Sequence, residues 1–546
     1  MPAPLATAPH ARARPRERRT RRLLVRRVLV RSLIAVVAVA GVLVAGFAVG
    51  SWVWTARDDS RAAMTTRGPY RATEASLDAH PLPAWFADAK FGIMIHWGLY
   101  SVPGFAPTGS SFTELLSRDY DHAMTRNPYA EDYANAMKDP SSPTAAYHRA
   151  HYGDAPYSDF ARQFHAGLSR WDPAGWAATF RAAGASYVVV TAKYADGYSL
   201  WPTTVRNPHA PDFHSRRDLL GELATEVRRQ GMRFGVYYSG GVDWTFQPAV
   251  VQTIGDYSYL PYGEDYRAYA TAQVRELIDR YRPDILWNDI SWPTGKKRLF
   301  ALLADYYNVV PDGVVNDRWQ TASFGRQVMG LRPCRWAFDR LVEEYMSDPK
   351  AAERLQTPPE VAHSDFRTPE YTGFTTVQRT FWQSDRGMGG SFGYNRAETD
   401  ADHASVTDLL GELVRAAANN GALLLNVGPG GGEGTIDAYQ SSRLAGIGDW
   451  LRTNREALDG TRPWTRSTAT AAGGHEVAFT RRGSTVYAIM LGQPRGSVTL
   501  PGVRLAGTAT LLGSDRPVSL SVADGGTTIT ADGLDGGFGR VVRITG

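Results

Sequence analysis

Short apolar runs alternate with longer amphipathic segments over most of the chain. The runs are rich in β-branched and aromatic residues, and a polar or aromatic cluster follows each of them. They cover residues 92–95, 187–191, 233–238, 285–287, 313–315 and 423–425. Strands that alternate with helices predict βαβ units and a parallel sheet. Their extent over residues 81–460 favours a (β/α)8-like barrel over a doubly wound sheet, because the chain lacks the glycine-rich phosphate turn of the latter.

The segments between the runs carry signals of helix ends. Asp172 before Pro173 predicts an N-cap followed by proline at the first helical position. The segment 216–230 stops at Gly231, as a helix with a left-handed cap does, and residues 264–281 stop before Arg282 and Pro283. These signals support helices between the predicted strands.

The pattern changes at about residue 461. Residues 476–480 and 485–491 flank a glycine-containing turn and predict a hairpin, and further short β runs follow at intervals. Period-two segments separated by glycine-rich turns are typical of a small antiparallel β-sandwich. Residues 461–546 are therefore predicted to form a C-terminal β-sandwich domain.

The N-terminus has a different character. Residues 1–32 hold ten arginines and one glutamate, and an uncharged apolar stretch follows from Leu33 to Trp54. Its length fits a transmembrane helix, and the arginines before it predict a cytoplasmic tail and an exported remainder, with residues 55–80 as a linker. This predicts a single-pass signal anchor in the cell membrane, with the folded domains that follow it outside. A cleavable signal peptide, which would give a secreted protein, is the alternative.

Composition narrows the class of protein. The chain is 43% hydrophobic and 21% charged, which excludes a mainly disordered protein, and its one cysteine excludes a disulfide framework. The net charge of +5 includes +9 from residues 1–32, so the rest is slightly acidic. A nucleic-acid partner is therefore not predicted. The pair His148 and His151 lacks a third ligand and predicts no metal site.

Aromatic and acidic residues share the loops after the predicted strands. In a parallel barrel these loops form the active site. Tryptophan and tyrosine rings beside carboxylates suit a sugar, whose C–H faces stack on rings and whose hydroxyls take hydrogen bonds from charged groups. The pattern thus favours a carbohydrate substrate.

Eight separated blocks make the pattern specific. They include Phe-Gly-Ile-Met-Ile-His-Trp-Gly at 91–98 and Asn-Asp-Arg-Trp at 316–319, and the others cover residues 187–201, 234–244, 286–289, 365–371, 391–395 and 424–429. In kind and order they resemble the blocks of the α-L-fucosidases of glycoside hydrolase family 29. The resemblance implies a retaining exo-glycosidase with a barrel and a C-terminal β domain that needs no metal or coenzyme.

The resemblance also implies roles for individual residues. Asp289 matches the catalytic nucleophile and Glu370 the general acid/base, with Arg318 near the nucleophile, where its charge would keep that carboxylate ionised. The other expected substrate-binding residues are His96, Tyr194, Tyr238, Trp287 and Asp132.

The sequence departs from the family at the sugar-binding positions. Tyr194 and Ala195 stand where the family has two histidines that bind fucose hydroxyls, Asp132 stands where a tryptophan is expected, and Gln383 replaces a glutamate. Two hypotheses remain. One is a hydrolase acting on terminal α-L-fucosyl or related α-L-glycosyl residues, and the other is a degenerate glycosidase that binds carbohydrate without hydrolysis.

Overall fold

The structure of the protein is a computed structural model that describes residues 43–62, 68–258, 263–354, 357–494, 496–514, 516–535 and 537–546. Within these residues the strands form two sheets, one parallel and one antiparallel. The parallel sheet contains β1 (Phe91–Ile95), β2 (Tyr187–Lys193), β3 (Arg233–Ser239), β4 (Ile285–Asp289), β5 (Val314–Val315), β6 (Trp382–Gly387) and β7 (Gly421–Val427). Their order is β5-β4-β3-β2-β1-β7-β6, and every neighbouring pair is parallel. The predicted parallel, barrel-like sheet is thereby confirmed.

An irregular segment, residues 365–371, lies between the two edge strands of this sheet. Its Asp365 N–H donates to the carbonyl of Val315, and its Arg367 N–H donates to the carbonyl of Phe381 at 3.0 Å. The N–H of Asp385 on β6 in turn donates to the Pro369 carbonyl. Seven regular strands and one irregular segment therefore take the places that eight strands have in a (β/α)8 barrel.

Side chains alternate between the two faces of the parallel strands, as the pleat requires. Tyr237 and Trp287 belong to an inner cluster with Met94 and Leu424. Tyr238 belongs to the outer cluster, which the sheet shares with the surrounding helices. The alternation decides which residues of a strand can reach a ligand at its end.

Helices surround the sheet and fill the connections. They are α1 (residues 43–59), α2 (Glu74–Leu77), α3 (Ala84–Asp88), α4 (Phe112–Arg118), α5 (Ala123–Arg126), α6 (Tyr133–Ala136), α7 (Pro143–Tyr152), α8 (Phe160–Gly167), α9 (Pro173–Ala182), α10 (Leu219–Arg229), α11 (Ile254–Ser258), α12 (Glu264–Tyr281), α13 (Lys296–Val309), α14 (Phe324–Val328), α15 (Arg332–Met346), α16 (Pro349–Arg354), α17 (Val406–Ala418) and α18 (Ala438–Asn454). The Asp172 side chain caps α9 by accepting from the Ala174 N–H. Helix α12 has the bounds that the sequence predicts.

The C-terminal strands form one antiparallel sheet. They are β8 (Arg462–Thr470), β9 (Glu476–Arg482), β10 (Thr485–Leu491), β11 (Ser497–Leu500), β12 (Thr508–Leu511), β13 (Pro517–Ala523), β14 (Gly526–Ala531) and β15 (Arg540–Thr545). The order is β11-β14-β13-β12-β15-β10-β9-β8 around an apolar cluster that includes Phe479 and Ile529. An antiparallel β region is confirmed, but its strands are joined in one continuous sheet and not in the two separate sheets of a sandwich.

The N-terminal helix contacts the catalytic domain. Asp58 is buried, and its Oδ2 accepts from the Gly295 N–H at 2.8 Å while Oδ1 accepts from Arg298. The Trp54 ring lies against the Arg267 guanidinium, and His80 is hydrogen-bonded to Asp365 at 3.0 Å. The expected linker, residues 55–80, is thus fastened to the domain near both ends, because its polar residues are partners of the barrel.

The transmembrane prediction falls only partly on described residues. Residues 1–42, which include the basic tail and the first part of the expected span, lie outside them. No helix within the described ranges is both long and apolar enough to cross a membrane.

Candidate active site

A cavity of about 410 Å³ opens at the carboxyl ends of the parallel strands. We call it the first cavity. Seven of the eight residues expected in the site are among its walls, which include His96, Tyr129, Glu131, Asp132, Tyr194, Tyr237, Tyr257, Trp287, Asp289, Arg318, Glu370, Asp385 and Phe392. The fold therefore brings together residues that are far apart in the sequence.

Arg318 joins the two carboxylates. Its Nη1 donates to Oδ1 of Asp289 at 3.1 Å, and its Nη2 donates to Oε2 of Glu370 at 3.0 Å. Thr368 holds the guanidinium from behind by accepting from Nε at 3.1 Å. Asp289 and Glu370 are consequently bridged by one guanidinium group.

Strained backbone follows each of these two carboxylates. Ile290 and Ser291 have φ angles of 61° and 72°, and Tyr371 has a φ of 51°. Such left-handed conformations cost on the order of 1–3 kcal/mol each for residues other than glycine. At the first position, the Ile290 N–H donates to Oδ1 of Asp289, and Arg326 donates to the Ser291 hydroxyl at 2.9 Å. The surrounding contacts thus fix the direction in which Asp289 points.

Aromatic rings line the base of the first cavity. The Tyr237 ring stacks on Trp287 with centroids 5.3 Å apart, and its hydroxyl donates to Oδ2 of Asp289 at 2.6 Å. The Arg318 guanidinium lies 4.9 Å from the centroid of the Trp287 ring. Gln383 accepts from the Trp287 indole N–H at 3.4 Å and donates to the Tyr187 hydroxyl. Gln383 therefore supports Trp287 from the barrel interior and does not line the cavity.

His96 is buried beside these rings with a defined tautomer. The Asn426 amide nitrogen donates to the Phe392 carbonyl, so the amide oxygen faces Nδ1 of His96 at 2.7 Å. Nδ1 must then carry the proton and Nε2 is left as an acceptor. Burial lowers the pKa of His96 to about 4, so the ring is neutral near pH 7.

Two of the positions that depart from the family contact each other. The Tyr194 hydroxyl donates to Oδ1 of Asp132 at 2.9 Å, and Asn127 donates to Oδ2 of Asp132 at 2.9 Å. Burial, opposed by these two hydrogen bonds, raises the pKa of Asp132 to about 6. Ala195 packs in a separate cluster with Trp244 and does not line the cavity.

Further acidic groups are buried in the same walls. Burial and the neighbouring Asp132 raise the pKa of Glu131 to about 8, although the Gly393 N–H donates to it at 2.7 Å. Burial raises the pKa of Asp385 well above its usual range, and its Oδ1 has no hydrogen-bond partner in the described part of the chain. The cavity therefore holds more carboxyl groups than it can keep ionised.

One expected site residue lies elsewhere. Tyr238 faces the helices, and its hydroxyl donates to Gln273 at 2.9 Å. Its placement in the site was wrong, because consecutive residues of a strand point to opposite faces and Tyr237 takes the inner position. Sequence reasoning also missed Glu131 and Asp385, whose contacts with the site depend on chain segments that only the fold brings together.

Of the two histidines considered as metal ligands, His148 and His151, the first has a structural role. His148 is buried, with its ring nitrogens hydrogen-bonded to the Tyr133 hydroxyl and the Ala155 carbonyl. Among the described residues, no group of three or more histidine, cysteine or acidic side chains is arranged to hold a metal ion.

The fold and the site together define a glycoside hydrolase: a parallel barrel-like sheet with paired carboxylates on one arginine above aromatic rings. Comparison with known proteins gives the family. The α-L-fucosidase family model matches residues 59–456. The chain belongs to this family, glycoside hydrolase family 29.

Individual relatives agree with this assignment. Bovine tissue α-L-fucosidase is 31% identical over 461 residues, which cover 83% of this chain and 84% of that protein. The α-L-fucosidase of Branchiostoma floridae is 30% identical over 84% of this chain and 91% of its own length. The crystal structure of Thermotoga maritima α-fucosidase with a mechanism-based inhibitor matches with a TM-score of 0.74 at 38% identity, covering 87% of this chain and 100% of that chain.

Proposed function

We propose that the protein removes terminal α-L-fucosyl or related α-L-glycosyl residues by double displacement, with Asp289 as nucleophile and Glu370 as acid/base. The observation that carries the proposal is the contact of Arg318 with one oxygen of each carboxylate. Retention requires two carboxyl groups about 5–5.5 Å apart, and one shared guanidinium keeps them at short range.

The reaction divides into two steps. In the first, an Asp289 oxygen bonds to the anomeric carbon while the bond from that carbon to the leaving oxygen breaks, and Glu370 gives its proton to the leaving oxygen. In the second, Glu370 takes a proton from water, whose oxygen displaces Asp289 from the anomeric carbon. Both carboxyl groups return to their starting states.

The surroundings of the two carboxylates support this division of roles. Asp289 accepts hydrogen bonds from Arg318, Tyr237 and the Ile290 N–H, and these three donors hold the carboxylate in one orientation. Glu370 accepts from Arg318 through Oε2, while the contact of the Tyr129 hydroxyl with its Oε1 is long, at 3.4 Å. Oε1 is therefore the oxygen that is freer to exchange a proton with substrate.

The arrangement of the site weakens the alternative hypothesis of a degenerate glycosidase that binds carbohydrate without hydrolysis. Its basis is the loss of the family's sugar-binding residues at positions 194, 195 and 132. Of these positions, only Tyr194 and Asp132 line the first cavity, and the two carboxylates remain paired. No described feature and no similar protein favours it.

The glycone preference is proposed to depend on Tyr194 and Asp132. In place of an imidazole donor and an indole ring, the cavity wall here has a phenol bound to a carboxylate. A missing hydrogen bond to a buried hydroxyl reduces binding by about 1–3 kcal/mol, or roughly ten- to a hundredfold. In a screen of aryl α-glycosides that includes L-fucoside and L-galactoside, the fucoside is expected to be a poor substrate and a glycone with an extra hydroxyl towards Asp132 a better one.

Restoring the family residues is expected to reverse this preference. The double variant Tyr194→His with Asp132→Trp should raise kcat/KM on aryl α-L-fucoside by about tenfold or more. Each single change should lower it, because either one leaves half of the Tyr194–Asp132 hydrogen bond unpaired in a buried place. Steady-state kinetics of the four proteins measures this coupling. An efficient native fucosidase, or additive single and double effects, would contradict the role given to these positions.

We also propose that the apolar stretch from Leu33 anchors the protein to a membrane with the catalytic domain outside. The proposal rests on the uncharged apolar sequence and the arginines before it. The contacts of Trp54 and Asp58 with the domain imply that a membrane-embedded part ends before them. A cleaved signal peptide with secretion remains the alternative outcome.

Truncation separates anchoring from folding. Full-length protein should stay with membranes after a high-salt or alkaline wash, and the fragment 43–546 should be released. The fragment 60–546 should also be released but unfold at lower temperature, because loss of Asp58 leaves Arg298 and Arg267 with the partly exposed Glu264 in place of a buried ion-pair partner. If high salt extracts the full-length protein, residues 1–32 make only an electrostatic contact with the membrane. A mature N-terminus near Ser51 would establish a cleaved signal peptide.

A further inference from the structure

The imidazole ring of His80 is fully buried where the chain enters the barrel domain. Its Nδ1 lies 3.0 Å from Oδ1 of Asp365, and its Nε2 lies 2.9 Å from the carbonyl oxygen of Pro311. A carboxylate and a carbonyl accept hydrogen bonds and have none to donate, so both ring nitrogens must be the donors. The two contacts therefore require an imidazolium, with a proton on each nitrogen.

The Asp365 carboxylate ties the irregular segment 365–371 to strand β5. Its Oδ2 accepts from the Val315 N–H and from the Tyr307 hydroxyl, each at 2.7 Å. The Asp365 N–H donates to the Val315 carbonyl at 2.9 Å. His80 binds the other carboxylate oxygen, so this side chain has donors on both sides. The position of the segment relative to β5 is thus fixed largely by one buried carboxylate.

Both charged partners in the site depend on this junction. Arg318 comes three residues after the end of β5, and Glu370 comes five residues after Asp365. Between them, the Thr368 hydroxyl donates to Asp317 at 2.6 Å and accepts from Nε of Arg318 at 3.1 Å. A shift of the segment along β5 would therefore move Glu370 relative to Arg318, to which it is now bound at 3.0 Å.

The titratable side chains around His80 form one cluster, which consists of Asp365, Tyr307, His363, Asp78, Tyr70 and Asp312. The His80 ring stacks on Tyr307 with centroids 4.0 Å apart. Since the Tyr307 hydroxyl gives its hydrogen to a carboxylate, Nε2 of His363 must donate to that hydroxyl, and Nδ1 of His363 lies 2.9 Å from Asp78. Burial raises the pKa of both tyrosines, so they stay neutral while the histidines titrate.

These surroundings favour the charged form of His80. Burial lowers its pKa, but the hydrogen bond and charge of Asp365, the Pro311 carbonyl and the charge of Asp312 outweigh burial and raise the pKa above its ordinary value of 6.5. Such a histidine stabilises the folded state fully below its unfolded pKa, and the stabilisation is lost as the pH rises through the folded pKa. The contribution of His80 is therefore complete in mildly acidic solution and decreases on the alkaline side.

We propose that His80 is a positioning residue that, while its ring carries two protons, holds Glu370 against Arg318 by way of Asp365. This inference rests on the proposed function, because it takes Glu370 as the acid/base. It goes beyond it by giving a role in the reaction to a residue that does not line the first cavity. When one proton is lost, a buried ring nitrogen faces an oxygen that cannot donate to it, and the contact becomes unfavourable.

His80→Gln tests the proposal with a side chain that has no charge. Its single amide nitrogen cannot replace two ring nitrogens that donate in different directions. At pH 6, kcat/KM on a disaccharide α-L-fucoside should fall by about 10- to 100-fold, as misplacement of a catalytic group by about 1 Å does. The change should be within about threefold on 2,4-dinitrophenyl α-L-fucoside, whose leaving group needs no proton from Glu370.

His148 supplies the matched control, because it is a second buried histidine with two partners. Its Nδ1 lies 2.9 Å from the Tyr133 hydroxyl and its Nε2 lies 2.8 Å from the Ala155 carbonyl. A hydroxyl can donate as well as accept, so a neutral ring satisfies both contacts. His148→Gln should lower the Tm by a similar amount at every pH and leave the ratio of the two kcat/KM values unchanged.

Thermal unfolding detects the proton directly. The Tm of the native protein should exceed that of His80→Gln by several degrees at pH 6, and this difference should fall by at least half at pH 9. Tyr307→Phe keeps the stacked ring and removes one donor to Asp365, so it is the milder variant should His80→Gln fail to fold. It should lose about 3- to 10-fold on the disaccharide and almost nothing on the activated substrate.

The outcomes are distinguishable. Equal losses on the two substrates, no loss on either, or a Tm difference that is the same at pH 6 and pH 9 would overturn the positioning role of His80 and leave the proposed hydrolysis intact. A native enzyme that turns over neither substrate would overturn the proposed function on fucosides and this inference with it.

Discussion

An Asp289→Gly variant is expected to lose turnover of unactivated α-L-glycosides by roughly 10⁴-fold or more, which corresponds to about 5.4 kcal/mol of transition-state stabilisation. The loss follows because, among the described residues, Asp289 is the carboxylate that contacts Arg318, the Tyr237 hydroxyl and the N–H of the strained Ile290 together. Azide, a small anion that fits the space left by the carboxylate, should restore part of the activity on an aryl glycoside. The product should be a glycosyl azide of inverted configuration, identifiable by NMR.

Matched variants decide whether this loss is specific. Asp289→Asn should be inactive and not rescued, because the amide still occupies the space. Asp279→Asn, on the exposed face of α12, should be fully active and supplies the control for an uncharged replacement. All variants should unfold within a few degrees of the native protein. Activity above one tenth of native for Asp289→Gly, or a rescued product of retained configuration, would move the nucleophile to another residue.

The regular strands could be predicted because their residues are buried on both faces. Each residue of β2 and β7 is buried, so these strands read as continuous apolar runs between turn signals. Strand β6 is also almost entirely buried, but it was not predicted because its buried residues are polar. Its sequence is Trp-Gln-Ser-Asp-Arg-Gly, and two of its polar side chains have buried partners on opposite faces of the sheet: Gln383 donates to the Tyr187 hydroxyl inside the barrel, and Ser384 donates to Glu412 on α17.

A site residue could be predicted where the local sequence pattern shows that it lies at the end of a strand. Asp289 and His96 follow apolar runs, so their location at the ends of strands needs only the rule for parallel barrels. To choose between Tyr237 and Tyr238, one must know which residues of the strand point into the barrel. Two adjacent aromatic residues in a strand that is buried on both faces do not reveal this. Asp385 lies beside Glu370 because residues 365–371 run along β6, a pairing of irregular backbone that no periodicity indicates.

The N-terminal region shows a different limit. Mixed charge without periodicity reads as a linker, yet Asp58 is buried between Arg267 and Arg298, far away in sequence. A single buried ion pair is invisible in composition, because its partners are defined only by the fold. The match to the family model begins at residue 59, so most of α1 lies outside the matched region.

A Glu370→Ala variant is expected to differ from Asp289→Gly in kind. General acid catalysis typically contributes 10²- to 10⁴-fold, so kcat/KM on a disaccharide should fall by about 10³-fold. The fall should be within about tenfold on a 2,4-dinitrophenyl glycoside, whose leaving group departs without a proton. Glu370 lines the first cavity and also a neighbouring cavity bounded by Leu116 and Pro128, so its carboxyl group can contact the leaving oxygen and the water that later takes its place.

The second step gives the sharper measurement. Without Glu370 no base activates water, so the glycosyl group should remain on Asp289 and kcat on the activated substrate should fall together with KM. Azide needs no base and should raise kcat, now with a product of retained configuration, because Asp289 has already inverted the centre once. Asp385→Asn is the matched control, since Asp385 is the other buried carboxyl group beside Glu370 and its amide keeps the shape. If Glu370→Ala loses as much on the activated as on the natural substrate, Glu370 is not the acid/base. If Asp385→Asn shows the dependence on leaving group, Asp385 has that role.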